Sequence, residues 1–301
     1  MSRAPRLRSL LFVPGDRPDR IAKAITASPD GVVVDLEDAV HPSRLRTARE
    51  QAVTALRDAG GTSVLRMVRV HHAGHDAFAA DVDAVVGAWL DAVMLSKVDV
   101  PGDVLRLDAA LTSAETSSGL PHGTVGIVPL VESCRGLRFV HEIAGCSRRT
   151  LAVAFSSGEE GDFMADLGGR WTQDGAALHY PRSRFVCDVR AAGDLFALDG
   201  VCMHLDDPGV LSSECALAAT LGFDGKLAIH PAQLTEIHRT FTPSRDAVTE
   251  ARDLLAALAD ATRNGVGATR HGGRMVDAAN ARIARRTLAK AGHDVGGASG
   301  D

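Results

Sequence analysis

Short runs of apolar, often β-branched residues recur along the chain. Each is followed by a polar or glycine-containing turn and then by a stretch with apolar residues three and four positions apart. The runs are "SLLFVPG" (9–15), "GVVVDLED" (31–38), "SVLRMVRV" (63–70), "AVMLSKV" (92–98), "GIVPLVES" (126–133), "LAVAFSS" (151–157), "GVCMHL" (200–205) and "KLAIHP" (226–231). Their apolar character is continuous rather than alternating, as in parallel strands covered on both faces. Between them, segments such as "RPDRIAKAITA", "SRLRTAREQAVTALRDAG" and "HDAFAADVDAVVGAWL" have the spacing of amphipathic helices. Eight strand-then-helix units in about 235 residues predict an α/β fold of the (β/α)8, or TIM-barrel, type. An open doubly wound sheet is the runner-up, but no G-x-G-x-x-G follows any run, so its nucleotide-binding form loses its main support.

Two departures from the repeat predict functional segments. The gap between the sixth and seventh runs leaves room for an active-site loop before its helix. After "FTPSRDAVTEA" the pattern becomes an Ala- and Leu-rich helix over about 244–263, the Gly-containing "RNGVGATRHGGRMVD" and a second helix to about residue 291, with "GHDVGGASGD" as a frayed tail. Residues 1–240 are therefore expected to form the barrel. Residues 241–301 are expected to form a helical C-terminal segment, too small for its own core, that packs on the barrel or on a neighbouring subunit.

Composition narrows the partners. Apolar content of 45% and charged content of 24% suit a globular protein, and 33 basic against 38 acidic residues leave a net charge of −5. That balance argues against nucleic acid or an anionic membrane as the main partner. No run approaches the roughly 18 apolar residues of a membrane helix, and the block Leu10–Pro14 is too short for a signal peptide, so the expected compartment is the cytoplasm. The five cysteines, Cys134, Cys146, Cys187, Cys202 and Cys215, show no C-x-x-C pair and are expected to be reduced, buried thiols.

In a barrel the functional groups gather at the C-terminal ends of the strands. There the second run carries Glu37 and Asp38, the third Arg69, the fourth Lys97 and the fifth Glu132, while the sixth leads into Glu159, Glu160 and Asp162 and the eighth ends in His230. Several carboxylates with one Arg and one Lys suit a hard cation and an oxyacid. Mg²⁺ commonly takes one or two protein carboxylates and fills the remaining positions with water and substrate. Glu132 and Asp162 can coordinate directly, while Glu37 and Asp38 can hold metal-bound waters and orient Lys97. The competing reading is a set of separate strand-end salt bridges. Asp35, lower on its strand, reads as a structural carboxylate. In "HHAGH", His71, His72 and His75 lack clear zinc spacing and read as solvent-facing or substrate-contacting loop residues. For His230, a hydrogen bond within the mouth and a catalytic role are both open.

The segments "LLFVPGDRPDRIAKA", "VVVDLEDAV", "RMVRV", "VMLSK", "IVPLVESCRGL", "GDFMADLG", "LAIHPAQL" and "GRMVD", in this order over nearly the whole chain, resemble the HpcH/HpaI aldolase and citrate lyase superfamily, in its citrate lyase β-subunit-like branch. The resemblance implies a barrel with a C-terminal lid that reaches the active site of an adjacent subunit in a homotrimer or hexamer. It implies a Mg²⁺-dependent lyase that cleaves or forms the carbon–carbon bond of a β-hydroxyacyl thioester such as citryl-, malyl- or citramalyl-CoA, giving an acyl-CoA and an α-oxoacid. Carried over, Glu132 and Asp162 are the metal ligands, and Arg69 binds the oxoacid carboxylate. Glu37, Asp38 and Lys97 surround the metal, Asp277 is the lid's acid–base residue, and Arg17, Arg20 and Lys23 face the CoA phosphates. Alternatives are a malyl-CoA-type thioesterase or synthase, a free 4-hydroxy-2-oxoacid aldolase, and a non-catalytic CoA-binding relative. The sequence also departs from the family pattern. His71 stands where many relatives have Asn, Ser96 stands where Pro is common, and "SSGEEGD" is longer than the usual G-x-E-D, so Glu159 and Glu160 compete with Asp162 as ligand.

Overall fold

The computed structural model describes residues 6–292. Eight parallel strands close into a barrel in chain order, β1 beside β2 and β8 back beside β1. They are β1 (Ser9–Pro14), β2 (Gly31–Asp35), β3 (Leu65–Val70), β4 (Ala92–Leu95), β5 (Gly126–Val131), β6 (Ala152–Phe155), β7 (Phe196–Asp199) and β8 (Gly225–Ala228). Helices α1 (Pro18–Thr26), α2 (Leu45–Asp58), α3 (Phe78–Val85), α4 (Pro101–Ser117), α5 (Cys134–Arg138), α6 (Val140–Gly145), α7 (Asp162–Leu167), α8 (His179–Ala192), α9 (Pro208–Leu221) and α10 (Leu234–Phe241) follow the strands. The expected (β/α)8 architecture is the observed one.

Local chemistry explains the start and stop points. Proline in the first turn opens α1, α4 and α9, where a missing N–H costs nothing. The Asp207 side chain caps α9 by accepting from Gly209 N–H, and Gly222, at φ 98°, ends that helix in the left-handed region.

Strand alternation decides what faces the axis. Leu10, Val33, Met67, Met94, Leu130, Ala154, Leu198 and Leu227 pack together as one buried cluster. Two residues further along the same face stand Asp35 on β2, Arg69 on β3 and, just past β5, Glu132. The side chains that face the axis thus change from apolar to charged at the C-terminal end of the barrel.

One strand differs from expectation. β7 is "FALD" (196–199), and 200–205, read above as the seventh strand, is irregular. The segment fell within the gap read as an active-site loop, and its Asp199 and the Lys226 of β8 are fully buried. Both point away from the axis. Lys226 Nζ reaches Asp199 Oδ2 at 2.8 Å and Glu214 of α9 at 2.9 Å, and Arg182 of α8 donates to Asp199 at 3.0 Å. The cysteines also depart from expectation. All five are free thiols, but only Cys202 and Cys215 are buried, and Cys134 and Cys187 are exposed.

The chain divides into a compact unit Leu7–His238 and a second unit from Arg239 onward. The second holds α11 (Arg245–Arg263), a hairpin of β9 (Thr269–His271) and β10 (Arg274–Val276), and α12 (Ala278–Lys290). The hairpin turn is Gly272–Gly273, both at positive φ, as a two-residue turn requires. Ala251, Leu258, Ala281, Ala284 and Leu288 form the apolar contacts between its helices. From residue 293 the expected tail lies outside the described residues. No described helix is long and apolar enough to cross a membrane.

Candidate active site

Asp35 and Arg69 are direct partners in the β2–β3 register, so both side chains leave the sheet on one face. Arg69 Nε and Nη2 donate to the two oxygens of Asp35 at 2.7 Å each, and Asp35 also accepts the N–H groups of Glu37 and Ala39. The carboxylate read as structural therefore holds both the guanidinium and the turn that carries Glu37 and Asp38. Arg69 Nη1 then lies 3.1 Å from Glu37 Oε2 and 3.5 Å from Asp38 Oδ2.

Lys97 joins the group from the β4 end. Its Nζ lies 2.6 Å from Glu37, 3.3 Å from Asp38 and 3.6 Å from Asp162. Its backbone is left-handed at φ 50°, a conformation that costs a non-glycine residue about 1 kcal/mol. In that conformation its N–H donates to Glu132 Oε2 at 2.8 Å. Gly136 allows the approach, since a Cβ there would sit 2.4 Å from the carbonyl oxygen of Val98.

The electrostatics are uneven. Burial is the main cause that raises Glu132 to about 7, and nearby Glu37 and Asp162 act in the same direction against Arg69. Burial also raises Glu37, while Asp38, despite burial, is held below its ordinary value by Arg69 and Lys97. Glu37 Oε2 is buried, and its partner is the Arg69 guanidinium 3.1 Å away. A buried carboxylate whose charge burial and the neighbouring acids disfavour fits a divalent cation and its water ligands. Among the described residues no three His, Cys, Asp or Glu side chains converge as a metal cage. The oxygen donors of Glu132 and Asp162 suit a hard ion that takes one or two carboxylates and leaves positions for substrate, as Mg²⁺ does.

The structure thus brings Glu37, Asp38, Arg69, Lys97, Glu132 and Asp162 together. The other expected residues have local partners of their own. Arg17 stands at the N-terminal boundary of α1 with no capping side-chain bond and lies 3.6 Å from Asp19, and Arg20 and Lys23 are exposed on that helix. No ion pair joins these three to the acid cluster among the described residues. Asp277, in the second unit, caps α12 by accepting from the N–H groups of Ala279 and Asn280. His230 is also a cap, with Nδ1 accepting from Ala232 N–H. His71 is mostly buried against Asp81 at 2.7 Å rather than facing solvent, and His72 and His75 accept backbone N–H groups in their own turn. Sequence reasoning missed the pair Glu159–His204, 2.7 Å apart, because His204 fell inside the misassigned seventh strand.

Comparison with known proteins defines the class of this barrel: it is a carbon–carbon lyase. Residues 8–231 match the HpcH/HpaI aldolase/citrate lyase family, and the chain belongs to that family. It is 32% identical over 288 residues to the citrate lyase subunit beta of Leuconostoc mesenteroides subsp. cremoris, covering 95% of this chain and 94% of that one. It is 31% identical over 293 residues to the L-malyl-CoA/beta-methylmalyl-CoA lyase of Cereibacter sphaeroides, covering 91% of each. Among solved structures it resembles the CitE protein of Mycobacterium tuberculosis in complex with magnesium, acetoacetate and coenzyme A. That likeness has a TM-score of 0.70 and 33% identity, and covers 97% of this chain and 100% of that one.

Proposed function

We propose that this lyase cleaves or forms a β-hydroxyacyl-CoA thioester of the citryl-, malyl- or citramalyl-CoA kind, giving an acyl-CoA and an α-oxoacid, and that it depends on Mg²⁺. The observation that carries the reading is Glu132, a buried carboxylate raised to about 7 beside Asp162, Lys97 and Arg69. Relatives named for citrate lyase and malyl-CoA cleavage, and a neighbour that binds magnesium and coenzyme A, support it.

Glu132 and Asp162 would hold the cation, which when bound supplies Lewis-acid charge to the substrate oxygens. Arg69, held in orientation by Asp35, would bind the oxoacid carboxylate. Lys97 and Arg69 would keep Glu37 and Asp38 ionised and fixed, so that their remaining lone pairs orient water around the site. Cleavage leaves a thioester enolate that must be protonated, and Asp277 is the acid assigned to this step. It would be supplied by the C-terminal segment of an adjacent subunit in a homotrimer or hexamer. Arg17, Arg20 and Lys23 would face the CoA phosphates, and the compartment would be the cytoplasm.

The test is release of acetyl-CoA or propionyl-CoA from a panel of hydroxyacyl-CoAs, with Mg²⁺ and with EDTA. Asp162 is half exposed, so Asp162→Ala should abolish Mg²⁺ binding and turnover without unfolding the chain. Normal Mg²⁺ binding by that variant would show that another acid is the ligand. Free CoA release without an oxoacid would favour a thioesterase, cleavage of a free 4-hydroxy-2-oxoacid would favour an aldolase, and CoA binding without turnover would favour a non-catalytic relative.

A further inference from the structure

The loop from β6 to α7 offers three acids within four residues, Glu159, Glu160 and Asp162, and only one of them approaches Lys97. Glu159 is turned the other way. Its Oε2 lies 2.7 Å from His204 Nε2, on the loop that follows β7, and the indole of Trp171 lies against the His204 ring with centroids 5.5 Å apart. Gly158 makes a second tie between the same two loops, since a Cβ there would meet the Val201 side chain at 3.0 Å and its carbonyl oxygen at 3.2 Å.

The turn itself is strained. Gly161 N–H donates to the Gly158 carbonyl at 3.2 Å, closing a four-residue turn in which Glu160 is left-handed at φ 59°. A residue with a side chain stays in that region only where its surroundings hold it. α7 begins at Asp162, immediately after the turn. The direction of the turn therefore decides which carboxylate reaches the barrel mouth.

We propose that Glu159 and His204 form a clamp between the two loops. The clamp withdraws Glu159 from the mouth and fixes the turn so that Asp162 is the carboxylate that the loop presents to the divalent cation. His204 and Glu159 are thus positioning residues, and the proposal rests on the reading of Glu132 and Asp162 as metal ligands. It also accounts for the longer "SSGEEGD" segment: a loop with surplus acids needs a partner that removes one of them.

The experiment measures Mn²⁺ affinity by electron paramagnetic resonance on the full-length chain, with thermal unfolding of each variant alongside. Asp162→Ala should abolish binding. Glu159→Gln and His204→Ala should each weaken it by about ten- to hundredfold, the range for residues that orient metal ligands. The double variant should be no weaker than either single variant, because one interaction is lost in all three. The exchanged pair, Glu159→His with His204→Glu, should recover most of the affinity. Full affinity in both single variants, with Asp162→Ala still inactive in binding, would overturn the clamp and leave the metal reading standing. Abolished binding in Glu159→Gln would make Glu159 a ligand and also overturn it. Affinity lost with a lowered unfolding midpoint and no recovery in the exchanged pair would assign the pair to the scaffold and reject the clamp. A parent protein that binds no Mn²⁺ would remove both readings together.

Discussion

The main-chain N–H of Lys97 donates to Glu132 Oε2 at 2.8 Å while Lys97 occupies a left-handed backbone conformation. A strained residue at the end of β4 thereby fixes one oxygen of a carboxylate at the end of β5. Glu132→Gln tests what the other oxygen is for. Glutamine keeps an acceptor for the Lys97 N–H but removes the negative charge. Expected are an unchanged fold, loss of Mg²⁺ binding by calorimetry and a fall in turnover of about 100-fold or more. Normal Mg²⁺ binding would place the ion elsewhere.

Arg69→Lys should not behave as a conservative change. Arg69 meets Asp35 through two parallel bonds, and lysine supplies a single point charge without that fork. Asp35 is only 3% exposed, so the bond it loses is not replaced by water. A stability loss of about 2 kcal/mol in urea unfolding is expected. Turnover should fall about 100-fold through misplacement of the carboxylate-binding group. Parent-like kinetics would separate Arg69 from substrate.

Asp277→Asn isolates the acid from the cap. Asparagine caps a helix about as well as aspartate, so α12 should keep its start, whereas Asp277→Ala would add a loss of about 1 kcal/mol. In the Asn variant, metal affinity and unfolding midpoint should be unchanged and turnover should drop about 100-fold or more. Undiminished turnover would remove Asp277 from the chemistry.

Asp199 gives a pH dependence unrelated to the site. Although burial opposes it, Arg182 and Lys226 hold Asp199 at about 2, against 3.8 for a free aspartate. Its folded value is depressed, so its contribution is complete above about pH 4 and is lost as pH falls toward 2. The shift corresponds to about 2 kcal/mol. Asp199→Asn should cost about 3 kcal/mol at neutral pH by leaving buried cations short of a partner. Its urea midpoint should converge on that of the parent between pH 4 and pH 2, and a constant gap would contradict the assignment.

Much of this was legible in the chain. The apolar runs located seven of the eight strands because a strand covered on both faces must be apolar throughout. The acids at the strand ends were equally visible, since charge directly after an apolar run stands out from it, although spacing alone did not separate a shared site from isolated salt bridges. "FALD" escaped because its charge is neutralised by Lys226 and Arg182, which lie 27 and 17 residues away, and periodicity carries no information about such partners. His71 and His230 were ambiguous for the same reason: a histidine that binds a buried aspartate and one that caps a turn look alike until their neighbours are known.

The sequence by itself determined the barrel, the end of it where chemistry gathers and the family. The first two follow from residue type and spacing along one strand or helix, which short-range sterics and burial control, and the family follows from the resemblance of eight segments in their order. Tertiary structure alone decided which charges meet. Asp35 holds Arg69, Lys97 turns its backbone toward Glu132, and Glu159 leaves the mouth for His204, because closing the barrel brings strand ends together from distant parts of the chain.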